Sequence, residues 1–212
     1  MSEAVTERRA LKDRILEAAL LHAAFDGWSR KTLLHAASDA GVDAPTARRL
    51  FPQGGDSLVE WLDDWADRQM LEAAATEDLG ALPVRRRIAW LVRRRLEPLG
   101  HHREAMRRAA VAHGLPTNLV TASRSVWRTV DRIWEAAGLG GTPGEGFSYY
   151  SRRATLAAVL VGTFLYWLED QSESFADTWA FLDRRIEDVM RMGQARTWLE
   201  GLLGRRPKAA AT

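Results

Sequence analysis

Two kinds of side chain in this sequence are spaced to do chemistry, and neither spells an active site. His22 with Asp26 and His35 with Asp39 stand four residues apart, which puts each pair on one face of a helix. That spacing yields surface or capping contacts far more often than ligands or acid–base pairs, so both are read as structural. A di-iron centre in a helical bundle would need Glu-x-x-His pairs, and none occurs; no nucleophile motif occurs either. Cysteine is absent, which removes disulfides, thiolate zinc sites and a cysteine nucleophile. No catalytic residue, cofactor or metal is expected. What remains is recognition chemistry. Tyr149-Tyr150 adjoin Arg152-Arg153, and arginines run together at Arg85-Arg86-Arg87, Arg93-Arg94-Arg95, Arg107-Arg108 and Arg205-Arg206.

These groups must be carried by helices. The chain of 212 residues is 46% hydrophobic and 27% charged, a soluble globular composition with enough apolar material for a real core. Apolar residues recur at helical spacing almost throughout and no run alternates convincingly with period two, so the fold class is all-α, with about nine helices. Leu11, Ile15, Leu16, Ala19, Leu20 and Ala23 form one face of a first helix over about 6–24, closed by Gly27. Helices are expected near 29–40, 44–50, 57–75, 83–98, 103–113, 117–137, 149–170 and 175–203. Asp43 would cap the third, while Ser57-x-x-Glu60 and Ser174-x-x-Asp177 read as capping boxes for the fourth and the last. The segment Ala154 to Leu168 carries no charge. It spans about 22 Å at about 1.5 Å per residue, short of a hydrocarbon core of about 30 Å, so it is expected to be buried within the protein. Residues 1–14 mix acidic with basic side chains and lack an apolar stretch, unlike a signal or transit peptide, and the chain is read as cytosolic and bacterial. The formal charge is only +2 although 30 residues are basic, so net charge argues weakly for a polyanion partner. Three parts follow: a helix-turn-helix-like head over 1–52, a helical body over 53–194, and a short amphipathic segment with a tail over 195–212.

The head stretch Gly41-Val42-Asp43-Ala44-Pro45-Thr46-Ala47-Arg48-Arg49-Leu50-Phe51 resembles the helix-turn-helix of the tetracycline-repressor (TetR) family. Where that family has a hydroxyl cap, an aromatic pair and a trailing lysine, this chain has Asp43, Arg48 with Arg49, and Gly54. DNA affinity is built largely on phosphate contacts, and a carboxylate at the backbone works against them. The helix also offers no Asn, Gln or Ser for base edges. The head is therefore read as a retained scaffold rather than a DNA reader. The competing reading is a TetR-type transcriptional regulator with a small-molecule inducer pocket.

Further along, three blocks resemble a second family. They are Phe147-Ser148-Tyr149-Tyr150-Ser151-Arg152-Arg153-Ala154-Thr155-Leu156-Ala157-Ala158, Phe175-Ala176-Asp177-Thr178-Trp179-Ala180-Phe181-Leu182, and Arg185-Ile186-Glu187-Asp188-Val189-Met190-Arg191-Met192-Gly193. Together with Glu169-Asp170-Gln171-Ser172 between them, they resemble the lipid-binding accessory proteins of ubiquinone (coenzyme Q) biosynthesis, the ninth of the Coq proteins, which have a TetR-like fold. The resemblance implies a non-enzymatic protein that binds isoprenoid lipids or quinone intermediates inside its helices, meets the membrane surface, and presents substrate to a demethoxyubiquinone hydroxylase. A homodimer is expected by analogy with the fold, and the location implied is the cytoplasmic face of the inner membrane.

On this reading Leu156, Val159, Leu160, Phe164, Trp167 and Leu168, facing Leu182, Ile186 and Met190, line the tunnel for a prenyl tail, although side chains alone would equally make an ordinary core. Adjacent tyrosines on a helix point about 100° apart, so at least one of Tyr149 and Tyr150 reaches the surface. The resemblance assigns Tyr149, Tyr150 and Arg153 to hydroxylase docking, with Arg153 pairing a nearby carboxylate as the plainer alternative. Trp198, Leu199, Leu202 and Leu203 gather on one side of the last segment between arginines, which suits a weak, reversible contact with a membrane surface.

Overall fold

The computed structural model describes the backbone of residues 3–114, 118–140 and 147–203; the side chains of 113, 147–149 and 192–203 lie outside the description. Among these residues the architecture is all-α: α1 Glu3–Asp26, α2 Arg30–Asp39, α3 Ala44–Leu50, α4 Gly55–Ala74, α5 Val84–Leu96, α6 Arg103–His113, α7 Leu119–Ala136, α8 Phe147–Glu169 and α9 Ala176–Leu203, with three short 3-10 turns.

Local chemistry sets the start of several helices. Ser29 caps α2 by accepting from the Thr32 amide, and Asp43 caps α3 by accepting from the Thr46 amide at 2.9 Å. Two expected caps are corrected. α4 starts at Gly55 rather than Ser57, because Gly54 takes a positive φ of 64° and turns the chain first; the Ser57 hydroxyl instead accepts from the Gln53 amide. The start of α9 is capped not by Ser174 but by Asp170, which accepts from the Thr178 amide at 2.8 Å, and by Ser172, which accepts from the Asp177 amide. Ser174 and Phe175 both sit at positive φ, 52° and 59°, a costly conformation for a bulky residue. Packing holds Phe175 there: its ring lies against Gly100, where any Cβ would come within 3.1 Å, and under the Arg103 guanidinium at 5.2 Å.

The helices bury two linked cores. The head core gathers Ile15, Ala19, Leu33, Ala36, Ala47, Leu50, Phe51 and Leu58. The body core runs from Leu16 and Leu20 of α1 through α4 to α7 and on to α8 and α9. Trp28 and Trp61 pack against both, and the Trp28 indole N–H donates to the Ala105 carbonyl of α6 at 2.9 Å. Polar bonds reinforce the junction, with Asp13 of α1 accepting from Trp61 and twice from Arg68 on α4. The boundary placed at 52 therefore falls inside a packed junction. The two histidine pairs rearrange as well: His22 bonds Asp39 across α1 and α2 at 2.6 Å, rather than Asp26 one turn away.

The uncharged part of α8 is buried on one side only. Leu156, Val159, Leu160, Trp167 and Leu168 face the core, whereas Ala154, Ala158, Val161, Leu165 and Tyr166 are exposed. The expected burial within the protein holds for one side only, because α6, α7 and α9 cover only part of its circumference.

Candidate functional site

Seven of the nine residues expected to line a tunnel, Leu156, Val159, Leu160, Trp167 and Leu168 on α8 with Leu182 and Ile186 on α9, belong to the continuous body core. Met190 is corrected outright, since it is 44% exposed. The inward stripe of α9 runs 182, 186, 189, and after 186 the 3.6-residue period places Val189 against the core instead. The described cavity lies on the other side of α8, toward α4, α6 and α7, and of the nine only Leu160 and Phe164 reach it.

That cavity has a volume of about 80 Å³. Val59 and Leu62 of α4, Met106 and Ala109 of α6 and Val126 of α7 complete its apolar wall, and the exposed Val161 stands at its edge. Its opposite wall is polar, formed by Asp63 of α4, Arg95 of α5 and Ser125 and Thr129 of α7. Arg95 donates through Nε to Asp67 at 2.7 Å and through Nη2 to Asp63 at 3.2 Å. The Ser125 hydroxyl donates to Asp63 at 2.6 Å and accepts from Arg128. The wholly buried Asp67 accepts also from Thr129 and from Arg132. Burial would lower the Arg95 pKa, but the charges and hydrogen bonds of Asp67 and Asp63 outweigh it and hold the guanidinium above the ordinary arginine value. Sequence reading missed these residues. Their signal was present in Asp63 with Asp67, and Ser125 with Thr129, each four apart on a helix face. The arrangement can hold an apolar body while offering guanidinium and hydroxyl groups to a polar end. The Ser125 hydroxyl gives its proton to Asp63 and one lone pair to Arg128, which leaves a second lone pair to accept from a ligand.

The proposed docking knuckle divides. Tyr150 is exposed and its ring stacks on Trp127 of α7, with centroids 6.4 Å apart. Arg153, expected at the surface, is buried: its Nε donates to Asp131 of α7 at 2.6 Å and its guanidinium lies over the Trp134 ring. Three residues past Tyr150, on the same face of α8, it packs against α7 as Tyr150 does, and the ion pair makes burial of the guanidinium tolerable there. The side chains of Tyr149, Trp198, Leu199, Leu202 and Leu203 lie outside the described residues.

In the head, Arg48 and Arg49 are exposed on α3, and Arg49 donates to the Thr46 hydroxyl. Hydrogen bonds from Thr46 hold the Asp43 carboxyl below its usual range, and the N-terminal end of α3 carries its negative charge.

A family profile described as COQ9 matches residues 119–193, the stretch that supplies α7, α8 and most of α9. The COQ9-B ubiquinone biosynthesis protein of Xenopus laevis is 30% identical over 201 residues, covering 92% of this chain and 67% of that protein. The chain belongs to the COQ9 family. COQ9 of Drosophila melanogaster is 29% identical over 197 residues and human COQ9 is 31% identical over 189, spanning 91% and 86% of this chain. This COQ9-family chain spans about three fifths of the length of those curated relatives, 59% and 58%. Among solved structures, a TetR transcriptional regulator from Nitrosomonas europaea superposes with a TM-score of 0.69 at 26% identity, over 84% of this chain and 97% of that one. The COQ9-family chain thus has the TetR-like all-α fold. The family match falls on the body, away from α2 and α3 of the head.

Proposed function

We propose that this protein is a non-enzymatic accessory protein of ubiquinone biosynthesis that binds an isoprenoid quinone intermediate and presents it to a demethoxyubiquinone hydroxylase. The observation that carries the reading is the cavity between α4, α6, α7 and α8, apolar on one wall and lined by Arg95, Ser125 and Thr129 on the other, in a chain of the COQ9 family. A quinone intermediate matches that polarity, with a ring bearing carbonyl or hydroxyl oxygens and a tail that is hydrocarbon. At about 80 Å³ the cavity is smaller than the roughly 150 Å³ engineered cavity that takes up benzene. A prenyl chain therefore enters by displacing the half-buried Phe164 and the exposed Val161 at the edge. Docking of the hydroxylase is assigned to the surface around Tyr150 and Trp127, and peripheral contact with the inner membrane to Trp198, Leu199, Leu202 and Leu203.

Lipid extraction and native mass spectrometry of the gently purified full chain test the reading. An isoprenoid in the bound fraction supports it. A protein that copurifies with no isoprenoid, and whose deletion leaves quinone intermediates unchanged, overturns it.

The helix-turn-helix geometry of α2 and α3, in a chain similar to a protein titled a transcriptional regulator, favours one second reading, a TetR-type regulator with an inducer pocket. Sequence-specific retention of its own upstream DNA at physiological salt would favour the regulator.

A further inference from the structure

Arg95 apart, the arginine runs of α5 have no part in the pocket or docking reading, and the fold sorts them. Arg87 is structural, donating to the carbonyls of Leu82, Gly80 and Ala137. Arg95 belongs to the polar wall of the cavity. The remaining four, Arg85, Arg86, Arg93 and Arg94, are all exposed. With Ala89 and Trp90 they occupy one half of the helix surface, two arginines a turn before the indole and two a turn after it. Arg94 lies over the Trp90 ring at 5.2 Å, and Arg93 lies over Trp179 of α9 at the same distance. Between the two indoles runs a shallow groove of about 220 Å³, walled by Leu82, Ala89 and Leu182 and edged by Arg86, Arg93 and Asp183. Glu97 takes hydrogen bonds from Arg93 and Arg94. Among the described residues the Arg85 and Arg86 side chains have no ion pair or hydrogen bond within the protein.

We infer that this face of α5, with Trp179, is a docking surface for an anionic phospholipid bilayer. Unpaired guanidiniums on a helix face attract a negatively charged surface, and charge complementarity selects anionic over zwitterionic lipid. The indoles and the apolar groove between the arginine pairs match the headgroup boundary, where tryptophan is favoured and a hydrocarbon segment has somewhere to lie. A duplex nucleic acid would instead call for polar side chains between the cations, and Ala89 and Trp90 stand there. The surface is separate from the cavity and does not depend on what the cavity binds.

The test is vesicle co-sedimentation of the full chain at about 0.15 M salt. Vesicles of phosphatidylcholine alone are compared with vesicles of phosphatidylcholine doped with phosphatidylglycerol. Binding is expected to the anionic vesicles, weakening as salt is raised. R85Q/R86Q is expected to lower that affinity about 5-fold per arginine and about 30-fold for the pair. R85K/R86K keeps most of it. An unchanged thermal midpoint of R85Q/R86Q separates loss of binding from loss of fold, and L199S/L202S distinguishes any contribution of the C-terminal segment. The inference is overturned if R85Q/R86Q binds anionic vesicles like the unaltered chain, or if both vesicle types bind alike. It is equally overturned if the pair changes retention on a single-stranded oligonucleotide and not on vesicles. None of these outcomes bears on whether an isoprenoid copurifies.

Discussion

Asp67 is wholly buried and accepts from Arg95, Thr129 and Arg132, so removing its carboxylate leaves the buried Arg95 guanidinium with Asp63 as its one remaining carboxylate partner. Asp67→Ala is expected to cost about 3–5 kcal/mol in urea unfolding, and D67L/R95M less than Asp67→Ala alone, because the double change removes both charges. Asp170 poses a different case. Burial would raise its pKa, but hydrogen bonds from Ser172 and Thr178 outweigh that and hold it at about 2, below the ordinary 3.8. A carboxyl depressed in the folded state adds stability that is full above the unfolded value and disappears as pH falls through the folded one. Asp170→Ala is thus expected to cost about 1–3 kcal/mol at pH 7, with the gap to the unaltered chain closing between about pH 4 and pH 2 in acid-unfolding curves. Neither role was legible in the sequence. An aspartate at a helix end or on a helix face reads the same whether water or an arginine surrounds it.

Element boundaries were far more legible, since apolar periodicity and capping residues are local. The ends of α3 and α6 agree with expectation to the residue, and Asp43 caps where its chemistry says it should. The misses came where a tertiary contact sets the end. α4 begins after the positive-φ turn at Gly54, and its first residue must be glycine because a Cβ on Gly55 would lie 2.3 Å from the Trp28 carbonyl oxygen, a contact between distant residues that no local pattern encodes. Gly55→Ala is accordingly expected to lose about 1–3 kcal/mol by differential scanning calorimetry, despite the better helix propensity of alanine. On α8 the lack of charge suggested burial within the protein, yet its outer face stays exposed, because the pattern reports apolar character and not how many neighbours arrive.

At the scale of the molecule, that exposed face asks for a cover. Leu165 and Tyr166 are exposed on α8, and Tyr166 stacks on Phe181 of α9 with centroids 4.6 Å apart. The homodimer expected by analogy with the fold would cover this patch, leaving the Tyr150 end of the same helix, about 22 Å from Leu165, to the proposed hydroxylase. Leu165→Glu should shift light-scattering mass from dimer to monomer without lowering the thermal midpoint of the monomer; an unchanged mass would refute this placement. By itself the sequence determined the helical class, nearly every helix, the cap of α3 and the resemblance to the ubiquinone-biosynthesis accessory family, because each rests on residues close together in the chain. Only the tertiary structure decided that Arg153 is buried on Asp131 and that Met190 faces out. It also opened a cavity where α8 meets α4, α6 and α7, with Arg95 and Asp63 in its wall, and left Arg85 and Arg86 bare. The reason is that burial, charge pairing and empty space belong to the meeting of helices distant in sequence, and a helix carries in its own residues only the direction in which each side chain starts out.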